Sequence, residues 1–282
     1  MKWKLKAMAF RVLSAAPFGQ TLYNAAQRIV MKTAFQTITP SLLRLHQYHV
    51  ARFRAVVPGR ALEFGGGRDL LSPLLLSQAG AEEVFVFDVA RHSRPEQVNH
   101  CIRQLRFLQP GDWPEVADCG ADLLKKYRIR YLAPGDARAT GLADASVRFV
   151  MSTSTLEHIP APEIRSIQRE CVRIAAPGAI LSHVLDYKDH FCYSDSSIGM
   201  FNFYQFSEAQ WRWWNPPNHY QNRLRHGDLY ALLAVPGTSV AEILPAAAER
   251  KELAGIELAP EFRARTEEDL LTHTAHIVLR RN

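Results

Sequence analysis

Residues 61–71 read ALEFGGGRDLL, a short apolar run, three glycines and a second apolar run. An apolar tetrad that ends in bare backbone and is followed by a longer apolar stretch predicts a strand turning into a helix. In an open α/β sheet the ligand lies beyond the carboxyl ends of the strands, and the first such turn takes glycine so that backbone can approach it. Neighbouring residues decide what the turn holds. The dinucleotide pattern G-x-G-x-x-G would place its third glycine at position 70, which is Leu70, and no G-x-x-x-x-G-K-[ST] phosphate loop is present. Glu63 puts a carboxylate at the end of the first strand, where a diphosphate is repelled and a cation or amine attracted.

Outward from this turn the pattern alternates. Strands are expected at 61–64, 83–89, 129–133, 147–152 and 179–184, with helices at 70–78, 95–108 and 161–174. Almost wholly apolar strands separated by helices predict an α/β fold with a parallel sheet covered on both faces. The alternation resumes with a helix at 228–234, a strand at 239–244, helical material to about 271 and a last strand at 276–279. Between these blocks, residues 186–227 are dense in aromatic, His and Asn residues, and Pro216-Pro217 forbids a continuous helix, so the segment reads as a cap insertion. Upstream, Leu5, Met8, Ala9, Val12 and Leu13, then Leu22, Ala25, Ala26 and Ile29, have helical spacing broken by Pro17-Phe18-Gly19. Two amphipathic helices follow, and a third over 40–56 stopped by Pro58-Gly59. The expected organisation is a basic helical N-terminal extension, 1–57, and one domain, 58–282, with a cap at about 186–227.

The 282 residues, 47% hydrophobic and 22% charged, describe a globular chain with no apolar window of the roughly 18 residues a membrane-spanning helix needs. Cys101, Cys119, Cys171 and Cys192 are too dispersed for a disulfide scaffold or a CxxC site, which predicts reduced thiols in a cytoplasm. The net charge of +6 is uneven: residues 1–62 hold ten Lys or Arg and no Asp or Glu. Such a segment suits contact with anionic lipid, an anionic substrate or nucleic acid, or a presequence; the smooth run of apolar pattern into the domain counts against the last.

Two further acids define the ligand. Asp88 closes the strand VFVFDV where a carboxylate can receive both hydroxyls of a ribose, and Asp136 in PGDARA can accept the amino group of an adenine, with Ala137 offering its backbone N–H. An adenosine half, a cationic half and no phosphate describe S-adenosyl-L-methionine. Residues from about 60 to 184 resemble the class I S-adenosylmethionine-dependent methyltransferases (methyltransferase type 11/12-like) through LEFGGG, VFVFDV, PGDARATGLADASVRFVMSTSTLEHI and IQRECVRIAAPGAIL. The resemblance implies a Rossmann-like, seven-stranded, mostly parallel sheet whose last strand, supplied by HTAHIVLRR, lies antiparallel beside the fifth. It implies cofactor contacts from Glu63, Gly65, Gly66, Gly67, Asp88, Asp136, Ala137, Ser152 and Thr153. Ala179 departs from the second glycine that many members carry after Pro-Gly.

The acceptor is less defined. Glu157-His158 follows the fourth strand on the side from which an acceptor would approach. In some quinone-pathway O-methyltransferases this pair, joined by an acid one turn earlier, holds a divalent metal; here that position is Ser154, so no metal is expected. His158 and His190 are the candidate bases. Glu157, Tyr187, Trp214, His219, Asn222 and Arg223 are candidate acceptor contacts, the aromatic run serving either as a stacking platform or as a buried cap. The expected activity is methyl transfer to a small molecule or saccharide, at oxygen. An RNA-modifying enzyme and a non-catalytic cofactor-binding scaffold are the alternatives; MSTS stands where amino-methylating nucleic-acid enzymes have Asn/Asp-Pro-Pro-Tyr/Phe.

Overall fold

The computed structural model of the chain describes residues 2–17 and 35–282. The helix expected across Leu22, Ala25, Ala26 and Ile29 lies outside the described residues. Helix α1 covers Lys2–Ala15 and α2 covers Pro40–Phe53. The Thr39 hydroxyl accepts from the Leu42 amide at 3.2 Å, and Pro40 opens α2 where a missing N–H costs nothing.

Next come β1 (Ala61–Phe64), α3 (Leu71–Gln78), β2 (Val84–Phe87), α4 (Pro95–Leu108), α5 (Ala121–Tyr127) and β3 (Ile129–Leu132). They are followed by β4 (Val147–Thr153), α6 (Ala161–Ile174) and β5 (Ala175–Asp186). The chain ends with α7 (Glu208–Trp214), α8 (His226–Leu233), β6 (Thr238–Ala247), α9 (Pro260–Arg263), α10 (Glu267–Leu271) and β7 (Thr272–Arg281). Helix α5 escapes the sequence pattern, because seven residues with only Leu123 and Tyr127 buried show no period. β5 runs past 184 because β7 pairs along it to Asp186↔Thr274, and it starts at Ala175, which pairs with Val147 of β4.

The strands form one seven-stranded sheet in the order β3-β2-β1-β4-β5-β7-β6. β1 to β5 run parallel, and β7 is antiparallel to both neighbours. Alternation along each strand divides the core. Ala61, Val84, Val86, Phe149 and Met151 face α3, α4 and α5, whereas Leu62, Phe64, Phe85, Phe87 and Val150 face α6 and α8. Helix α2 also belongs to the first layer, where Leu43, Val50 and Phe53 pack. The strand order reverses between β1 and β4, which opens a crevice at their carboxyl ends.

The cap has its own core. Phe191, Phe201, Phe203, Tyr204 and Trp211 cluster with Phe262 and with Trp3 and Ala7 of α1. The Trp3 amide donates to Asp195 Oδ2 at 2.8 Å, and the Trp3 ring packs against Phe191, Phe206 and Trp214 at centroid distances of 5.3, 5.7 and 5.4 Å. Of the aromatic run, Trp211 belongs to this apolar interior and Trp214 packs against it, whereas Trp213 is 55% exposed. Among the described residues no helix is long and apolar enough to cross a membrane.

Candidate active site

The loops after β1, β2 and β3 are tied edge to edge: the Gly65 amide donates to the Phe87 carbonyl at 2.8 Å, Asp88 to Leu132 at 3.1 Å, and Gly135 back to Asp88 at 2.8 Å. Together with the loop after β4 they wall a cleft of about 700 Å³ at the carboxyl edge of the sheet. That volume is in the range of small-molecule sites.

Sterics explain the glycines one by one. Gly65 has φ +77°, and a Cβ there would stand 2.3 Å from Thr155 Oγ1, so the Thr155 side chain of the β4 loop packs directly on the Gly65 backbone. A Cβ on Gly66 would meet Val86 Cγ1 at 2.3 Å. Gly67, at φ +67°, meets nothing within 4 Å and presents open backbone to the cleft, which Gly65 and Gly67 both line. Leu70 takes the left-handed conformation (φ 56°) that a third glycine would adopt freely, and its side chain is fully buried. The strain, roughly 1–2 kcal/mol, is offset by burying a leucine.

Glu63, Asp69 and Asp88 converge around this turn, and Asp136 stands on the loop after β3. Glu63 is 2% exposed and its Oε2 has no hydrogen-bond partner. Burial first, then the negative charges of Asp69 and Asp88, push its carboxyl well above the usual range. Asp88 lines the cleft 8% exposed; burial raises it, against the pull of His92, whose Nε2 is 3.6 Å away, and of the amides of Ala90, Val89 and Gly67. Beside it Val89 is 81% exposed, an apolar surface at the mouth of the cleft. Asp136 and Ala137 also line it, but the Asp136 carboxylate is gripped by Arg138, with Nη2 to Oδ2 at 2.8 Å, which lowers it.

The β4 end departs from expectation. Ser152 is fully buried behind the sheet with its Oγ 2.9 Å from His183 Nδ1, and Thr153 Oγ1 is 3.3 Å from His49 Nε2. Neither lines the cleft; Ser154 and Thr155 do. The reason is that the strand runs on to Thr153 in alternating register, so the turn into the cleft begins at Ser154, where φ is 47°.

One turn later stands a polar group. His158 lines the cleft, and its Nδ1 is 2.9 Å from the Tyr220 carbonyl oxygen, which can only accept, so Nδ1 carries the proton and Nε2 the lone pair. Burial holds His158 below an ordinary histidine. The His190 ring lies 4.8 Å from it, centroid to centroid. Glu157 does not line the cleft; it is 2% exposed, neither carboxylate oxygen has a hydrogen-bond partner, and burial, then Asp186, push it well above the usual range. Thus Glu157, His158 and His190 are brought together although 32 residues separate the two histidines.

The other candidate acceptor contacts lie away from the cleft. Tyr187 is buried in the core with its hydroxyl 3.1 Å from His226 Nδ1. Trp214 packs on Trp3 under the Lys4 ammonium. His219 lies between Phe10 and Phe191, and burial lowers it to about 4. Arg223 donates to the carbonyls of Phe203 and Phe206 and pairs with Glu208 at 2.7 Å. Asn222 ties the 156–159 loop down: its amide donates to the Glu157 carbonyl at 2.7 Å, and its Nδ2 to the carbonyls of Leu156 and Ile159 at 2.8 and 2.7 Å. Asn222 and Arg223 are spent on backbone carbonyls, whereas Tyr187, Trp214 and His219 are held by ring packing and side-chain contacts, neither of which spacing in the sequence reveals.

Two features went unread in the sequence. Gln221 accepts from the His190 amide at 3.0 Å through Oε1 and donates to the Lys188 carbonyl through Nε2. With Tyr220 and Asn222 it forms a crossbar between the His158 and His190 loops. Arg225, fully buried, donates to the carbonyls of Tyr187, Asp269, Leu270 and Thr272 and so anchors the far end of the cap.

Neither a protein-family model nor a curated protein matches the chain. Solved structures do. A geranyl diphosphate methyltransferase in complex with SAM matches with a TM-score of 0.51 at 13% identity over 85% of each chain. The [4+2]-cyclase SpnF matches at 0.50 and 15% identity, over 85% of this chain and 81% of its own. Geranyl diphosphate C-methyltransferase from Streptomyces coelicolor A3(2) gives 0.49 and 11%, over 86% and 77%. The chain has the fold of the class I S-adenosylmethionine-dependent methyltransferases. A cyclase among these structures is a reminder that the fold does not by itself fix the reaction.

Proposed function

We propose that the chain is an S-adenosylmethionine-dependent methyltransferase that acts at an oxygen of a small-molecule or saccharide acceptor. The observation that carries this reading is the convergence of Glu63, Asp69 and Asp88 around an open glycine turn at the reversal point of the sheet. A diphosphate is repelled there, and a sulfonium or ammonium group neutralises the corner. Backbone at Gly65 and Gly67 allows the methionine part to approach while Gly66 seats the turn against Val86, Asp88 receives the ribose hydroxyls, and Val89, Ala137 and Ile159 give the adenine an apolar slot beside Asp136. Ser154 and Thr155 take the place assigned from sequence to Ser152 and Thr153.

Methyl transfer is an in-line displacement: the acceptor oxygen bonds to the methyl carbon as the sulfur–carbon bond breaks, and the hydroxyl proton must leave. Alignment and desolvation supply most of the rate, and a neutral imidazole supplies the base. The lone pair on His158 Nε2 at the cleft wall fits that role, with His190 beside it. A nucleic-acid acceptor draws less support, because basic side chains of the acid-free segment are engaged: Arg11 with the carbonyls of Arg212 and Trp213, Lys6 with Ser194, Arg52 with Glu242. Calorimetry on the full chain tests the cofactor: S-adenosylmethionine should bind in the micromolar range and NAD should not. A screen of hydroxylated sugars and small molecules for S-adenosylhomocysteine release then separates an enzyme from a scaffold that binds without turnover.

A second reading concerns α1. Its cap-facing residues are Trp3, Ala7 and Phe10, whereas Leu5, Met8 and Val12, one and two turns apart, point outward and are 69%, 49% and 67% exposed on a helix without acids. We propose that this row rests on anionic lipid. The full chain should float with phosphatidylserine vesicles and stop floating in Leu5→Glu/Val12→Glu; flotation undiminished by those changes would remove the row from the account.

A further inference from the structure

The proton-transfer role proposed for His158 and His190 leaves Glu157 unexplained. A carboxylate buried to 2% exposure with neither oxygen hydrogen-bonded is among the costliest groups a fold can hold, and such groups are normally paired or bound to a cation. It points into a space that His158 and His190 share: one donor atom from each of the three residues lies within 4.8 Å of the others. We propose that Glu157, His158 and His190 form a site for one divalent transition-metal cation at the wall of the cleft.

Three observations beyond proximity support a built site. The Nδ1–H of His158 is spent on the Tyr220 carbonyl, the kind of second hydrogen bond that orients a metal-bound imidazole and leaves Nε2 as the ligand atom. His190 Nε2 is buried without a hydrogen bond, and Asp186 Oδ2 stands 3.6 Å from that same nitrogen, so a further carboxylate borders the cluster. The two loops are held in register by the crossbar, through Asn222 on the Glu157 side and Gln221 on the His190 side. Bonds of about 2.1 Å to a tetrahedral ion put donor atoms about 3.4 Å apart, so the cluster closes by rotation of side chains.

The donor set chooses the ion. Two imidazoles and one carboxylate suit Zn²⁺, Mn²⁺, Fe²⁺ or Co²⁺ and leave coordination positions open, whereas Mg²⁺ and Ca²⁺ prefer oxygen ligands throughout. Asp186 adds negative charge nearby, with Lys188 Nζ 3.6 Å from its Oδ1 as the opposing cation and the Tyr193 hydroxyl donating to its Oδ2. No acid one turn before Glu157 is needed, because the third ligand comes from the loop after β5. An ion here would take up the His158 Nε2 lone pair, so general-base catalysis by His158 belongs to the ion-free chain and binding of the ion would suppress it.

The test uses the full chain stripped with a chelator. Calorimetry with Zn²⁺ and Mn²⁺, and the visible absorption of Co²⁺, should report one ion per chain, with no competition from equimolar Mg²⁺. Glu157→Gln and His190→Asn should each weaken it about 100-fold or more, and Asn222→Ala, which removes only the strap, about tenfold. Apo Glu157→Gln should melt near the wild-type temperature, since an isosteric amide replaces a carboxyl group with no hydrogen-bond partner, and should keep its affinity for S-adenosylmethionine. No stoichiometric ion in folded wild type, or an ion held equally by the Glu157→Gln/His190→Asn double variant, would overturn the site. Neither result bears on the cofactor cleft, whose own binding is read in the same samples.

Discussion

Asp88→Asn isolates a single carboxylate in the proposed cofactor site. Its backbone is fixed on both sides, by the bond from its amide to Leu132 and by the bond it accepts from Gly135, so an isosteric change leaves the loop in place. If the carboxylate receives two ribose hydroxyls, each hydrogen bond to a charged acceptor contributes roughly 1.5–3 kcal/mol, and an amide oxygen retains one neutral bond of about 1 kcal/mol. The expected loss is about 2 kcal/mol or more, at least a 30-fold rise in Kd for S-adenosylmethionine by calorimetry. The unliganded protein should respond oppositely. Asp88 is one of the charges that push Glu63 up, so its removal relieves repulsion and the melting temperature should hold or rise. An unchanged Kd in a natively folded variant would refute the ribose assignment. A clear fall in melting temperature would refute the view that this corner is over-charged without a ligand.

Gly66→Ala should destabilise the fold by about 1–3 kcal/mol through its clash with Val86, and Val86→Ala added to it should recover part of that loss in denaturant titrations; strictly additive losses would contradict the contact. Burial holds the imidazoles of His46 and His183 down to about 4, against roughly 6.5 in an unfolded chain. The unfolded state therefore binds more protons in that window, and this contribution to stability is complete above about pH 6.5 and lost as pH falls toward 4. Between pH 7 and pH 5 His183→Gln should lose about 2 kcal/mol less than wild type in urea unfolding, and equal losses would sink the assignment. Arg225→Met should strip the Tyr187, Asp269, Leu270 and Thr272 carbonyls of a buried donor and cost about 3 kcal/mol or more, read as a drop of at least about 6 °C in melting temperature. A shift of a degree or less would mean that water takes over those carbonyls.

The fold and the glycine turn were legible because their signals are local. Four-residue apolar strands, the helices at 95–108 and 161–174, and a glycine turn flanked by Glu63 and Asp88 each follow from side-chain period and from what bare backbone permits. The place of the last strand beside the fifth came from family resemblance rather than from period. Ser152 and Thr153 were misplaced because the exact end of a strand decides which side chain leaves the sheet, and the turn at Ser154 is set by its bond to Val184 on β5.

By itself the sequence determined a parallel sheet, a glycine turn that disfavours a dinucleotide, and three acids fit for a cationic adenosine ligand. Tertiary structure alone decided what surrounds the acceptor. It gathered Phe191, Phe201, Phe203, Tyr204 and Trp211 into a third core clamped by Trp3, spent Asn222, Arg223 and Arg225 on carbonyls, and joined His190 to Glu157-His158 across a crossbar of three residues. The physical reason is range. Secondary structure answers to neighbours a few residues away, whereas convergence of donor atoms depends on loops whose course is fixed by buried polar groups seeking partners across the whole chain.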